Sequence, residues 1–287
     1  MMKIIKYFFE FIFIGILLLI FKILGYRSAS NFGAFVGGLI GPIFRSKKNI
    51  SSNIKKAFPE IEEKKINLII KNMWTNYGRI LADYMSIKNF RESKLNQYLE
   101  VEGNEIFEEI KNNNENVVFI SGHFNNFELM AMEIEKSGIN VAAIYRPLNN
   151  IFLNKIMEKI RKKYICKYQI KKGISGAREV IQLYKKGFSI ALMIDQRVSE
   201  GIKLNFFGQP ASTTTIPAQL AKKFNCRVVP VYIERIDKFK YKMKINRPIK
   251  FEKNQSIENI SGILNKELEK MILKQPSQWI WSHNRWK

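Results

Sequence analysis

His123 and Glu128 are the residues of this chain whose types and spacing are best suited to acid–base chemistry. They lie in Ser121-Gly-His-Phe-Asn-Asn-Phe-Glu128, after the apolar run 116–120, which predicts a buried strand, and beside 127–136, which predicts a helix. His123 is therefore expected in the turn between strand and helix, where α/β folds commonly place reacting groups. From the first helical turn, Glu128 can reach back to one imidazole nitrogen and fix the tautomer. The other nitrogen would then be a general base that deprotonates a hydroxyl.

The same segment also has a structural interpretation. Asn125 and Glu128 match a variant capping box, in which Asn125 caps the helix and Glu128 bonds back to its start. A single histidine after a strand is more often structural than catalytic. The residue pattern leaves both interpretations open.

Two further strand ends carry polar groups. Arg146, in Tyr145-Arg146-Pro147, ends the second predicted strand, where it could bind a phosphate or an oxyanion bidentately. The alternative for Arg146 is a surface ion pair. Asp195, in Asp195-Gln196-Arg197, follows the apolar run 188–194 and would be either a loop cap or a site carboxylate.

The composition indicates a folded, basic protein of one large domain or one domain with an appendage. Of 287 residues, 46% are hydrophobic, and 48 Lys and Arg against 25 Asp and Glu give a formal net charge of +23. Such an excess implies an acidic partner, which could be nucleic acid, anionic lipid headgroups or an acidic protein. Cys166 and Cys226 lack metal-ligand spacing and are expected to be reduced core residues. With only two histidines in the chain, no metal site is predicted.

One stretch concentrates the positive charge. Residues 161–186 hold nine Lys or Arg against a single acid, Glu179. Charge runs are usually solvated faces, but this one lies inside the predicted folded domain, so a docking surface is also possible.

The N-terminal residues predict a membrane anchor. A short basic start, 1–6, precedes about 20 largely apolar residues at 7–26, which is enough to cross a hydrocarbon core. A cleaved signal peptide, with Ser28-Ala29-Ser30 as its cleavage site, is the alternative. The anchor is preferred because reduced thiols and a basic charge suit the cytoplasm, and because basic residues are denser after the segment than before it. A glycine-rich apolar stretch, 32–44, is too short to span and should lie in the interface or pack on the domain.

The remaining pattern predicts a helical region followed by an α/β domain. Residues 53–84 are expected to be helical in two pieces separated by Pro59, and from 116 onward strands alternate with helices. The predicted division of the chain is 1–26 as membrane anchor, 27–95 as interfacial and helical region, and 96–287 as α/β domain. The predicted strands are 116–121, 140–145, 188–194 and 227–234, and the predicted helices are 127–136, 150–162, 174–186, 215–224 and 256–274.

The segment Gly122-His-Phe-Asn-Asn-Phe-Glu128 resembles the His-x4-Asp/Glu motif of membrane glycerolipid-type acyltransferases. The closer resemblance is to the lauroyl/myristoyl acyltransferases of bacterial lipid A biosynthesis, and it covers almost the whole chain. Ser121 stands where that family more commonly has Gly. The other segments that resemble the family, in order, are the N-terminal anchor, Asn53-x3-Ala-Phe-Pro-Glu60, Tyr145-Arg-Pro147, Asp195-Gln196, Phe206-Phe-Gly-Gln-Pro-Ala211 and Pro276-Ser-Gln-Trp-Ile-Trp-Ser-His-Asn-Arg-Trp286.

The resemblance implies an α/β fold, with a mixed sheet flanked by helices, and a specific reaction. An acyl chain would pass from the thioester of acyl-carrier protein to a hydroxyl of a phosphorylated lipid A precursor at the inner membrane. His123 would be the base and Glu128 would hold its ring. Arg146, Asp195 and Gln196 would bind substrate, with Asp195 positioning Arg146 or other site groups. No cofactor is expected.

The excess of positive charge is then explained by three acidic partners: acyl-carrier protein, the phosphorylated lipid and membrane lipids. No nucleic acid is expected as a partner. His283, among the tryptophans of the C-terminal segment, is predicted to be a packing residue or an interfacial anchor. The alternatives are an acyltransferase acting on a lysophospholipid or glycolipid, and a non-catalytic, membrane-tethered basic binding protein. The residues predicted to dock the carrier protein are Lys162, Lys163, Lys171, Lys172 and Arg178.

Overall fold

The computed structural model describes residues 2–287, and within them it contains one seven-stranded sheet, a separate two-stranded hairpin and ten α-helices. The strands are β1 (Leu99–Glu102), β2 (Val118–Ser121), β3 (Val141–Tyr145), β4 (Tyr168–Lys171), β5 (Ser189–Met193), β6 (Ile202–Phe206), β7 (Gln209–Thr213), β8 (Val228–Arg235) and β9 (Tyr241–Ile245). The helices are α1 (Met2–Phe44), α2 (Lys47–Ala57), α3 (Glu63–Asp83), α4 (Ile87–Arg91), α5 (Asn104–Asn112), α6 (Glu128–Lys136), α7 (Ile151–Ile160), α8 (Ile174–Lys185), α9 (Ile216–Phe224) and α10 (Ile257–Lys274).

The large sheet is mixed, which confirms the predicted fold class. Its strand order is β1-β9-β8-β2-β5-β3-β4, and only the pair β8 and β9 is antiparallel. The central strand β2 is buried at all four residues. A strand covered on both faces has no reason to alternate apolar and polar residues, so its sequence is a continuous apolar run. Because β2, β3 and β5 run parallel, their carboxyl ends meet at one edge of the sheet, and this edge carries the candidate site.

The structure confirms the predicted strands and helices of the α/β domain, with ends that agree to within two residues, whereas the helical region predicted from residue 53 begins six residues earlier, at Lys47. The two helical pieces around Pro59 are α2 and α3. Five strands and the helices α4 and α5 had no predicted counterpart. Four of these strands are only partly buried, and the polar residues on their exposed positions hide the apolar pattern that predicted the central strands.

The predicted anchor and the glycine-rich stretch form one helical run, α1, which is interrupted at Gly25. Gly25 has φ of 72°, a backbone conformation that breaks a helix and favours glycine. On length and composition alone, the helix Lys3–Phe44 could cross a membrane. Before Gly25, Leu17 and Phe21 are buried. The exposed apolar residues of this part are Ile4, Ile5, Phe8, Phe9, Ile12, Phe13, Ile16, Leu19, Ile20, Ile23 and Leu24.

The part of α1 after Gly25 packs on α3 through glycines. Gly33 and Gly37 approach Gly78 so closely that a Cβ at Gly37 or Gly78 would collide with the backbone of the other helix. Residues 32–44 thus pack on α3, a helix of the predicted helical region. The opposite face of the same segment stays exposed and apolar, at Phe35, Leu39, Ile43 and Phe44.

Candidate active site

Two neighbouring parallel strands place His123 beside Asp195. Ser121, the last residue of β2, pairs with Met193, the last residue of β5. His123 and Asp195 each follow two residues later, so the two chains bring both side chains to the same edge of the sheet. The Nδ1 atom of His123 lies 2.7 Å from Oδ1 of Asp195, and the main-chain N–H of His123 donates to Oδ2 at 2.8 Å.

Asp195 is fully buried, yet its environment favours the charged form. Burial alone would raise its pKa, but the positive charge and hydrogen bonds of His123 and the hydrogen bond from Trp279 outweigh burial and hold the pKa of Asp195 below its usual value. The indole N–H of Trp279 donates to Oδ2 at 2.9 Å. An ionised Asp195 accepts a hydrogen bond from the N–H at Nδ1 and so fixes the imidazole tautomer, which leaves Nε2 as the basic nitrogen.

His123 lines a cavity of about 480 Å³, whereas Asp195 is not among its lining residues. The ring nitrogen free to meet a ligand is therefore Nε2, which lies 3.5 Å from Nε2 of Gln196. A neutral imidazole with its proton on Nδ1 can accept a hydrogen bond from that amide. The side chain of Phe127 packs edge-on against the His123 ring, with centroids 4.9 Å apart. The dyad is thus held from the protein side and open on the cavity side.

Glu128 contributes to the site differently from the prediction. Its carboxylate accepts hydrogen bonds from Arg161, at 2.8 Å from Nε and 2.5 Å from Nη2, and from the hydroxyl of Tyr84. Among residues 2–287, the side chain that binds Nδ1 of His123 is Asp195, so the predicted His123–Glu128 pairing is corrected. The reason is geometric: the sheet register aligns Asp195 with His123, whereas Glu128 begins α6 and faces the helical turn that follows α7.

The predicted helix cap is also wrong. The structure gives α6 an N-cap at Phe127 without a side-chain capping hydrogen bond. Asn125 instead has φ of 45°, and its amide donates to Oε1 of Gln278 at 2.6 Å. Gln278 in turn accepts from the main-chain N–H of Arg235 at 2.8 Å and donates to the Arg235 carbonyl at 2.9 Å. The turn after His123 is therefore fastened to the C-terminal segment and to the end of β8.

The cavity is lined by both apolar and cationic side chains. The polar lining includes Arg146, Arg161, Lys172, Gln196 and Arg197, all near the carboxyl ends of the strands. The apolar lining includes Phe119, Ile120, Met130, Ile134, Ala143, Ile144, Ala191, Met193, Val198, Ile216 and Val231. Such a lining suits a ligand with a long apolar part and a charged or polar end.

His283 belongs to this cavity, which its position in the sequence did not indicate. Its Nε2 accepts a hydrogen bond from the main-chain N–H of Arg197 at 3.0 Å. Burial lowers the pKa of His283, which keeps the ring neutral and able to accept. Trp279, Trp281 and Trp286 are buried, so the packing interpretation of the C-terminal aromatic residues is confirmed and the interfacial one is not.

The predicted docking residues divide into two groups. Lys162 and Lys163 are exposed in the π-helical turn that precedes β4, and Arg178 is exposed on α8. Lys171 is exposed and lies 3.3 Å from Glu158, while Lys172 lines the cavity.

Sequence reasoning missed Arg161 and Gln278 as site residues. Arg161 is one of nine cations in its stretch, and its partner Glu128 is 33 residues earlier, so no local spacing links them. Gln278 acts through a turn 153 residues away. Contacts over such separations follow from the topology of the sheet and have no local sequence pattern.

The cysteines are consistent with their predicted place in the core. Cys166 and Cys226 are buried, and burial raises the pKa of Cys166 to about 12, which disfavours the nucleophilic thiolate. In the described part of the chain, residues 2–287, there is no cluster of three or more His, Cys, Asp or Glu side chains that could hold a metal ion.

Comparison with known proteins places this chain in a class. Relatives across most of the chain carry acyltransferase names, so the protein is an acyltransferase. More particularly, the family model of the bacterial lipid A biosynthesis acyltransferases matches residues 1–287, and the chain belongs to that family. The resemblance seen in the motifs is thereby confirmed.

The named relatives are distant but extensive. The lipid A biosynthesis lauroyltransferase of Escherichia coli K12 is 25% identical, over 98% of this chain and 92% of its own length. The lipid A biosynthesis acyltransferase 2 of Shigella flexneri is 23% identical, over 86% and 80%, and the myristoyltransferase of Escherichia coli K12 is 22% identical, over 82% and 73%. Among solved structures, the 1-acyl-sn-glycerophosphate acyltransferase of Thermotoga maritima matches 88% of this chain and 99% of its own, with 14% identity and a TM-score of 0.41.

Proposed function

We propose that this acyltransferase moves a fatty acyl chain from the thioester of acyl-carrier protein to a hydroxyl of a lipid A precursor, at the cytoplasmic side of the inner membrane. The observation that carries the proposal is the His123–Asp195 pair, with its Nδ1–Oδ1 distance of 2.7 Å, at a cavity lined by both apolar and cationic side chains. The family supplies the reaction class and the lipid A pathway. The identity of the acyl donor and the role of His123 as general base are what we propose beyond the family.

His123 is the proposed base. Its Nε2 takes the proton of the acceptor hydroxyl as the oxygen attacks the thioester carbonyl carbon, and Asp195 stabilises the imidazolium that forms. The tetrahedral intermediate then collapses, the carbon–sulfur bond breaks, and the leaving thiolate takes the proton from the imidazolium. No covalent enzyme intermediate is needed, and the buried Cys166 and Cys226 take no part.

The two kinds of lining residue suit the two parts of the substrates. The apolar side chains would hold the acyl chain, since burying each methylene contributes about 0.8 kcal/mol. Arg146 would bind a substrate phosphate or stabilise the developing oxyanion, and Gln196 would contact substrate next to His123. The proposed reaction requires no metal and no cofactor besides the donor thioester.

The surroundings of the site support the proposed partners. The exposed Lys162, Lys163 and Arg178 are the proposed contacts for the acidic carrier protein. The exposed apolar residues of α1 are the proposed contact with membrane lipids. Cations concentrate after the apolar segment, at positions such as Arg27, which favours a cytoplasmic main domain.

The test is a reconstituted assay with purified protein in detergent. The wild-type protein should form acylated lipid A precursor from acyl-carrier protein thioester, as detected by mass spectrometry. His123→Ala should remain folded while transfer falls by at least ~10²-fold. Lysophosphatidic acid as acceptor and acyl-coenzyme A as donor are the comparison substrates.

Three results would contradict the proposal. Preference for lysophosphatidic acid would show that the acceptor is another lipid. Equal use of acyl-coenzyme A, without salt dependence, would show that acyl-carrier protein is not the specific donor. Normal turnover by His123→Ala would show that His123 is not the general base.

A further inference from the structure

Arg146 and Lys172 are neighbouring cations at the ends of paired strands. In the parallel pair of β3 and β4, Tyr145 is aligned with Lys171, and the main-chain N–H of Lys172 donates to the Tyr145 carbonyl at 2.9 Å. Arg146 and Lys172 are the next residue of each chain, so their backbones are about 5 Å apart. Both side chains line the cavity that His123 lines.

Neither cation has a carboxylate partner. Among residues 2–287, no Asp or Glu oxygen lies within 4.0 Å of the charged nitrogens of Arg146 or Lys172, whereas the adjacent Lys171 lies 3.3 Å from Glu158. Partial burial and the like charge of Arg146 lower the pKa of Lys172, and the negative charge of Glu200 only partly offsets this lowering. Two like charges at one cavity repel each other unless an anion lies between them.

We propose that Arg146 and Lys172 together form a binding site for a substrate phosphate, which rests on the proposed function for the identity of that substrate. The guanidinium fork gives two parallel hydrogen bonds to phosphate oxygens, and the ammonium adds a point charge. Bound phosphate cancels the repulsion between the cations and positions the rest of the substrate toward the cavity of His123. Lys172 is then a substrate-binding residue and is not part of the carrier-protein surface.

Two substrates can bring a phosphate to this site. The acceptor carries phosphate monoesters if it is a phosphorylated lipid A precursor, and the donor carries a phosphodiester in the prosthetic arm of its carrier protein. The chemistry that Arg146 and Lys172 recognise is the same in both. The experiment therefore removes each phosphate in turn.

The kinetic arm uses Arg146→Gln, Lys172→Gln and the control Lys186→Gln. Lys186 is exposed beside the amino-terminal end of β5, at the opposite edge of the sheet from the site. Each site variant should raise KM for the phosphorylated substrate roughly ten-fold or more, on the scale of one charged hydrogen bond, and should leave kcat within about three-fold. The penalty should vanish with a dephosphorylated acceptor if the acceptor supplies the phosphate, and with an acyl-N-acetylcysteamine donor if the carrier does.

A binding arm does not depend on turnover. Inorganic phosphate should raise the Tm of the wild-type protein and of Lys186→Gln relative to chloride at equal ionic strength, and should have less effect on Arg146→Gln and Lys172→Gln. If phosphate stabilises all four proteins equally, or none of them, the phosphate site is wrong. A kinetic penalty that is the same whichever phosphate is removed would also overturn it. Failure of wild-type acyl transfer, with selective phosphate stabilisation retained, would instead contradict the proposed function and leave the site supported.

Discussion

At the scale of single residues, the buried charge of Asp195 is the feature on which the proposed chemistry depends. Its carboxylate accepts three hydrogen bonds, from the ring and the main chain of His123 and from the indole of Trp279. A carboxylate can accept all three, while an amide in its place would present one N–H toward a donor. The charge also stabilises an imidazolium at His123.

We therefore expect Asp195→Asn to reduce acyl transfer by at least ~10²-fold and to cost about 1–3 kcal/mol of stability through one mismatched buried donor. The measurements are single-turnover rates and thermal unfolding in the same detergent. Asp237→Asn, at an exposed residue between β8 and β9, is the matched control. Turnover near the wild-type rate in Asp195→Asn would show that the dyad is not used.

Glu128 leads to a different expectation, because it belongs to a buried ion pair. Its side chain is 7% exposed and that of its partner Arg161 is 11% exposed. Removing one member of such a pair leaves an uncompensated charge, which typically costs about 3–5 kcal/mol. Glu128→Gln should therefore unfold at lower temperature than the wild-type protein, with activity lost partly through instability.

The double variant Glu128→Gln/Arg161→Met separates structure from chemistry. Because both charges are gone, it should recover a substantial part of the stability lost in Glu128→Gln, as measured by chemical denaturation in a double-mutant cycle. A Glu128→Gln protein with wild-type stability and no activity would instead support direct action of Glu128 on His123.

The sequence predicted which residue types would meet at the strand ends, and it did not predict their pairing. His123 and Asp195 were both expected after apolar runs that form β2 and β5. Glu128 was the closer carboxylate along the chain and matched a known motif, but strand register decides which side chain meets the imidazole. Register depends on pairing between strands more than 60 residues apart, which no local pattern encodes.

At the scale of elements, the crossing of α1 and α3 requires glycine at selected positions. A Cβ at Gly37 would overlap the carbonyl oxygen of Trp74, whereas one at Gly38 would meet only Thr75 Oγ1, at 3.6 Å. Adjacent glycines of one helix thus have opposite tolerance for a methyl group. The glycine-rich composition of residues 32–44 is explained by close helix packing at Gly33 and Gly37.

Gly37→Ala should accordingly destabilise the protein by about 1–3 kcal/mol, because the two helices must move apart. Gly38→Ala should be neutral or stabilising by up to about 1 kcal/mol, since alanine favours the helix more than glycine does. Thermal unfolding of both variants in one detergent decides the matter. Equal Tm values for the two would mean that the helices do not cross as described.

The elements themselves were predicted unevenly, for a physical reason. Central strands such as β2 and β5 are buried on both faces and show as apolar runs. β9 instead alternates buried and half-buried residues in Tyr-Lys-Met-Lys-Ile, a period-two pattern typical of a strand, although no strand was predicted there. β4 lay within a basic stretch, where charge concealed its short strand.

At the scale of the whole molecule, α1 presents two apolar surfaces joined at Gly25. The first is formed by the exposed side chains of residues 3–24, and the second by Phe35, Leu39, Ile43 and Phe44. The first segment also contacts the domain: Phe8 packs on Phe152 of α7, with centroids 6.0 Å apart. Two separate surfaces predict two separable contributions to membrane binding.

Deleting residues 1–15 should weaken membrane binding without abolishing it. This cut removes most of the first surface and keeps Leu17 and Phe21, which are buried against Ala29 and Ala82, so that the fold is retained. The second surface still offers four exposed apolar side chains to the headgroup boundary. Liposome flotation should show a partition coefficient at least ~10-fold lower, since the deletion exposes six fewer large apolar side chains to lipid.

Replacing Phe35, Leu39, Ile43 and Phe44 by Gln tests the second surface independently. That variant should float nearly as well as the wild-type protein, while its combination with the deletion should bind more weakly than either change alone, because only the exposed apolar side chains of residues 16–24 remain. If the deletion alone abolishes flotation, the second surface does not meet the bilayer. A mature N-terminus at about Asn31 in cells would identify a cleaved signal peptide. Cleavage there would also remove Leu17 and Phe21 from the cluster that they form with Ala29 and Ala82. The cleaved protein should then have a lower Tm in detergent.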